Sequence, residues 1–245
     1  MKLALVVNSH SCNKECAKLF FYCLKKYINI DIFNCIYFFI DKKINNIPSY
    51  AQQIIYNNDE SFKDQMIHCL KNVKEDYLLY CNEDYLFYSE PNYKIIYESL
   101  EKLKNSNHSF IKFVHTDTET YKQIEEKYFL INSECENNYS QALSFWKTKD
   151  LLNIHINCPI SEIGKKGDIN KHLEIEAKQV CKKLKISGLC YYNQEPKRGL
   201  VHYDSEVFPH IASALNRGQW NSEYSELEIL KKEFEQYENN KQFKN

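Results

Sequence analysis

The stretch Asp76-Tyr77-Leu78-Leu79-Tyr80-Cys81-Asn82-Glu83-Asp84-Tyr85-Leu86-Phe87 decides the fold. Its first half is an apolar run of strand length, as expected of a strand covered on both faces. That run ends in two adjacent carboxylates, after which apolar residues resume. Two acids wedged between apolar segments are costly unless a cation, a lysine or backbone donors compensate them. A hard divalent cation carrying phosphates provides such compensation. Asn82, Glu83 and Asp84 are therefore a candidate site, with a plain strand end as the other reading.

Outward from this strand the chain alternates between the two periodicities. Toward the N-terminus the pattern predicts strands over Lys2–Val7, Asn34–Ile40 and Gln52–Tyr56. Between them it predicts helices over Lys14–Lys26 and Ser61–Lys71, the second capped by Ser61 or Asp59. Toward the C-terminus it predicts a helix over Tyr93–Lys104, strands over Phe110–Val114 and Tyr128–Ile131, and a helix over Gln141–Leu152. A polar loop over 157–170, a helix over His172–Leu184, a strand over Gly188–Asn193 and a short helix over Phe208–Asn216 follow. Tyr224, Leu227, Leu230 and Phe234 predict an amphipathic helix in the charged tail. The expected division is a single domain over 1–220 and a charged helix or tail over 221–245. Such alternation implies an α/β fold with a mostly parallel sheet flanked by helices. Ligands of these sheets sit beyond the carboxyl ends of the strands. There the sequence puts Asn8-Ser9-His10, Asp41-Lys42-Lys43, Asn57-Asn58-Asp59 and Asn82-Glu83-Asp84.

Composition narrows the function classes. The 245 residues are 43% hydrophobic and 27% charged, enough to bury the core of one large domain. Thirty-two basic against 33 acidic side chains leave no whole-chain basic field, so a nucleic-acid partner is not expected. The apolar run Cys35–Ile40 is far below the ~20 residues of a membrane span, so no transmembrane segment is expected. Met1–Val7 is cut off by Asn8-Ser9-His10 before it reaches the length of a signal-peptide core, and the expected location is cytoplasmic. The ten cysteines include no C-x-x-C pair, which disfavours a zinc ribbon and leaves them as reduced, small hydrophobes. All five glycines lie between positions 164 and 218. A Walker loop or a G-x-G-x-x-G turn after the first strand is thereby excluded, and a bound nucleotide would be held without a glycine cradle.

The segment from Ser61-Phe62-Lys63-Asp64 through Asp76–Leu86 resembles the helix, fourth strand and acidic motif of GT-A glycosyltransferases. It is similar to the bacterial and viral type whose strand ends in E-D-Y instead of D-x-D. Further pieces resemble the family in the same order. Gln141–Lys147 matches the acceptor-side segment, and His172-Leu173-Glu174-Ile175-Glu176-Ala177 matches the W-x-F-E element, with leucine at 173. Asn216-Arg217-Gly218-Gln219-Trp220 matches the closing motif, and the resemblance covers about residues 2–221.

The resemblance implies a nucleotide-sugar donor and a sugar or glycoconjugate acceptor. On the donor side it implies Asn8 and Ser9 at the nucleotide, Asp41 at the ribose or base edge, and Asp64, Asn82 and Glu83 nearby. Arg198, one of only two arginines, would face the departing diphosphate, and Asp84 with His202 would hold Mn2+ or Mg2+. The acceptor hydroxyl needs a base. Matching favours Glu176 over Glu174, which points elsewhere on a helix, and an inverting outcome is expected. A nucleotidyltransferase or a catalytically silent binder on the same scaffold remain as alternatives.

Overall fold

The computed structural model describes residues 2–115, 122–135, 138–139, 142–159, 172–198, 202–216 and 218–242. β1 (Leu3–Asn8) and β4 (Tyr77–Asn82) are apolar up to a closing asparagine, and β2 (Cys35–Ile40) throughout, because side chains of both parities are buried. Leu3, Leu5 and Val7 of β1 join a core on one face of the sheet, and Ala4 and Val6 join the core on the other. β3 (Ala51–Ile55) flanks β2 as the edge strand.

The sheet continues through β6 (Phe110–Lys112), β7 (Lys122–Glu125), β8 (Tyr128–Ile131), β9 (Ser144–Lys147) and β10 (Gly188–Tyr191). Its nine strands lie in the order β3-β2-β1-β4-β9-β6-β10-β8-β7. The strands β1 to β4 are mutually parallel, β9 runs against β4 and β6, and β10 is parallel to β6. A mixed, mostly parallel α/β sheet is therefore the observed architecture, as its strand–helix alternation predicts.

Helices cover both faces. α1 (Lys14–Tyr27) and α3 (Tyr93–Lys104) pack on the first core, and α2 (Phe62–Leu70) and α4 (Thr148–Asn157) on the second. Ser61 caps α2, its hydroxyl accepting the Asp64 N–H at 3.2 Å. α5 (Lys178–Lys183) joins the second core after a π-helical turn, His172–Ala177, which replaces the start of the α-helix predicted there. α6 (Ser225–Gln242) docks on α1, burying Leu227 and Leu230 in the first core with Tyr224 beside them. Among the described residues, no helix is long and apolar enough to cross a membrane.

Two expected helices are wholly or partly strands. Within Gln141–Leu152, residues 144–147 form β9, and the helix begins only at Thr148. Phe145 and Trp146 are both buried, but in opposite cores, which is the period-two signature of a strand inserted in mid-sheet. Within Phe208–Asn216, β13 (His210–Ile211) pairs with β5 (Leu86–Phe87), and β14 (Leu215–Asn216) opens a hairpin with β15 (Gln219–Trp220). The segment is taken up by long-range strand pairing instead, sealing the strand that follows the acidic pair. Gly218 turns the hairpin at φ +78°, where a side chain would be strained. Most of the polar loop at 157–170 lies outside the described residues.

Candidate functional site

The parallel register places Asn8 beside both Phe39 and Asn82, so the ends of β2, β1 and β4 form one rim. Past β2, Asp41 is buried and accepts the Ser11 N–H at 2.6 Å and the Ser11 hydroxyl at 2.8 Å. His10 Nε2 lies 3.5 Å from the same carboxylate. Burial alone would raise the Asp41 pKa, but these donors and His10 outweigh it and hold the carboxyl below its ordinary value. Ser9 is fixed between strands: its N–H donates to Phe39 O at 3.0 Å, and its carbonyl accepts the Tyr56 hydroxyl at 2.8 Å.

Past β4, Glu83 is buried and accepts the Asn13 side-chain amide at 2.7 Å. Burial raises its pKa, opposed by the bonds from Asn13, its own backbone and the Ser9 hydroxyl. Asp84 beside it is pushed up to about 8, first by burial and then by the charge of Glu83. The Asp84 carbonyl accepts the Ala214 N–H at 2.9 Å, and Tyr85 stacks on His210 at 5.3 Å, so the 208–216 segment backs the acidic pair. Asn82 adds a buried Oδ1 with no hydrogen-bond partner among the described residues. Three hard oxygen donors thus stand in sequence at the end of a central strand.

Glu176 is buried on the α2–α4 side. The Cys158 thiol, pushed up to about 12 mainly by burial, is raised further by Glu176 and lowered by Lys63. The Lys63 ammonium donates to the Cys158 carbonyl, so these three residues meet where α4 ends and α2 begins. The side chains of Glu174 and His202 lie outside the described residues; the His202 backbone pairs with Arg198 between β12 (His202–Tyr203) and β11 (Lys197–Arg198).

Two further candidates are engaged locally. Asp64 accepts the Ser61 hydroxyl at 2.6 Å within the cap of α2. The Arg198 guanidinium pairs with Glu226 at 2.6 Å and Asp204 at 3.5 Å, between the rings of Tyr88 and Tyr224. Sequence reasoning missed Ser11, Asn13, Tyr56 and Lys63. The polar run from Asn8 to Asn13 was a usable signal for the first two; Tyr56 and Lys63 carry none outside the tertiary structure.

No protein-family model matches the chain, and no curated protein matches it. Solved structures do. Residues 1–349 of S. aureus TarS align over 84% of this chain at 11% identity and a TM-score of 0.51, and the chain spans 60% of that fragment. The same fragment in complex with UDP-GlcNAc aligns over 80% of this chain and 60% of its own length, at 13% identity and 0.48. A CMP:2-keto-3-deoxy-manno-octonic acid synthetase complexed with CTP aligns over 78% of this chain and 89% of its own, at 9% identity and 0.46. What the chain shares at these identities is the fold, that of the nucleotide-diphospho-sugar transferase-like, or GT-A, proteins.

Proposed function

We propose that the protein is a glycosyltransferase that moves a sugar from a nucleotide-sugar donor to the hydroxyl of a sugar or glycoconjugate. The observation that carries this reading is the Glu83–Asp84 pair, two raised carboxylates side by side at the end of a central parallel strand. Structural acids are normally matched by donors, as Asp41 is. This pair is under-compensated and accompanied by the unmet Asn82 Oδ1. Among the described residues no group of three or more His, Cys, Asp or Glu is placed to hold a metal ion. Two carboxylates are enough for Mg2+ or Mn2+ when substrate phosphates and water complete the shell. Asp84, Glu83 and Asn82 would hold the ion, which when bound would offset the charge of the leaving diphosphate.

The chain's own residues supply the rest. Ser9 and Asn13 orient Glu83, and Asn8 with the Asp41–Ser11 unit lines the rim beside it for the nucleoside. Glu176 accepts the proton of the acceptor hydroxyl as that oxygen attacks the anomeric carbon and the nucleoside diphosphate departs. Attack from the face opposite the leaving group inverts the anomeric centre.

The test is a panel of UDP-, GDP-, dTDP- and CMP-sugars, with and without Mn2+, read by melting temperature and calorimetry. A ligand that binds only the folded state stabilises it, by about 2.7 kcal/mol at a concentration 100 times its Kd, and so raises the melting temperature. Binding of one donor, strengthened by Mn2+ and weakened by Asp84→Asn, is expected. Folded protein that binds no member would remove the reading. Release of pyrophosphate from a nucleoside triphosphate would replace it with nucleotidyl transfer.

A further inference from the structure

A cavity of about 240 Å³ opens between α1, the segment after β2 and α6, apart from the Glu83–Asp84 rim. Its walls are the rings of Phe21 and Tyr22 from α1 and of Phe234 and Tyr237 from α6, with Pro48 opposite. The Tyr22 ring centre lies 5.6 Å from that of Phe234 and 5.2 Å from that of Tyr237, which holds the two helices' rings as one lining. Behind Phe21, Tyr50 stands edge-on at 6.5 Å, and its buried hydroxyl has no hydrogen-bond partner among the described residues.

The charges around the cavity are unequal. Lys18, Lys25, Lys26 and Glu238 line it. Lys18 is matched by Glu15 at 2.9 Å and Lys26 by Glu233 at 2.6 Å. Lys25 makes no ion pair among the described residues. Size then limits the occupant. An apolar cavity of about 150 Å³ accepts benzene, whereas drug-sized ligands fill about 300–1,000 Å³. A nucleotide sugar does not fit; a single ring with a short substituent does.

We propose that this cavity is a binding site for a small aromatic anion: one ring held among Phe21, Tyr22 and Tyr237, with its carboxylate, sulfonate or phosphate at Lys25. Aromatic walls favour a flat ring by offset and edge-on contacts, and the unmatched ammonium selects for negative charge. This inference is independent of the proposed transferase activity. The probe is phenylacetate, which does not resemble a nucleoside diphosphate, titrated into the full chain beside toluene (ring alone) and acetate (charge alone).

Calorimetry gives the affinities, and backbone NMR locates the site. Phenylacetate should perturb the amides of residues 18–26 and 234–238 and bind at least fivefold more tightly than toluene, while acetate leaves both segments unchanged. Lys25→Glu, on an exposed helix surface, should weaken phenylacetate at least fivefold and leave toluene unaffected. Tyr237→Trp, which narrows the cavity, should weaken both. No perturbation of these segments at millimolar phenylacetate would overturn the proposal. So would an unchanged affinity in Lys25→Glu, or acetate binding as well as phenylacetate.

Discussion

At pH 7 an Asp84 carboxyl titrating at about 8 holds its proton in most molecules, whereas in the unfolded chain it is ionised. Between the ordinary carboxylate value and pH 8 the folded state therefore binds more protons than the unfolded state. The contribution of Asp84 to stability therefore falls as pH rises through that interval. Asp41 has the opposite sign: its pKa is lowered, so its contribution is present above the ordinary carboxylate value and is lost as pH falls through the folded one. Asp84→Asn is expected to stabilise the metal-free protein at pH 8 by on the order of 1–3 kcal/mol and to flatten its pH profile. Asp41→Asn is expected to destabilise it at neutral pH. Thermal denaturation in chelator from pH 5 to 8.5 measures both. Added Mn2+ should stabilise the wild type at pH 8 and have little effect on Asp84→Asn. At the same scale, Glu176→Gln should keep donor affinity while turnover drops ~10²–10⁴-fold, with Glu174→Gln near wild type. Swapped phenotypes would make Glu174 the base.

Among the elements, α6 and β10 each carry one tight contact that a single substitution can test. Arg198 ties the β11–β12 ribbon to α6 through Glu226, with Tyr88 and Tyr224 on its faces. Its side chain is only 19% exposed, so Arg198→Ala should cost about 1–3 kcal/mol and make α6 protease-sensitive. Unchanged stability with a collapse of donor affinity would instead assign Arg198 to the diphosphate. In β10, a Cβ on Gly188 would stand 2.5 Å from the Phe110 ring, which is stacked at 4.5 Å on Trp146. With the ring unable to retreat, Gly188→Ala should cost about 1–3 kcal/mol, readable from the denaturation midpoint. The elements also mark where sequence reading stops. Helix α3 and strand β8 were legible to the residue because their apolar spacing has one solution. Residues 143–147 and 207–214 were not. There the burial of both parities in β9, and the pairing of β13 with Leu86–Phe87, depend on partners more than 30 residues away. The acidic pair was legible because carboxylates are out of place after an apolar strand. Its pairing with Asn13 was not: the polar run from Asn8 to Asn13 signals a rim, but nothing in it points to a carboxylate 70 residues on.

For the molecule as a whole, β9 is the feature with the widest reach. Because it runs against β4 and β6, the chain arrives at Ser144 on the same rim where β6 ends, and Phe113 N–H meets Leu143 O there at 3.0 Å. A purely parallel sheet would hide half of its connections on the far edge. Here the chain enters β9 at Leu143–Ser144, on the rim where β4 and β6 end, while the strand itself is locked between two cores by Phe145 and Trp146. Additions ahead of Ala142 would alter that rim, provided that Tyr139, Ala142 and Leu143 keep their places in the two cores. For a lineage under selection, or for an engineer, the reversed strand divides the molecule into a fixed chassis and an edge on which specificity can drift.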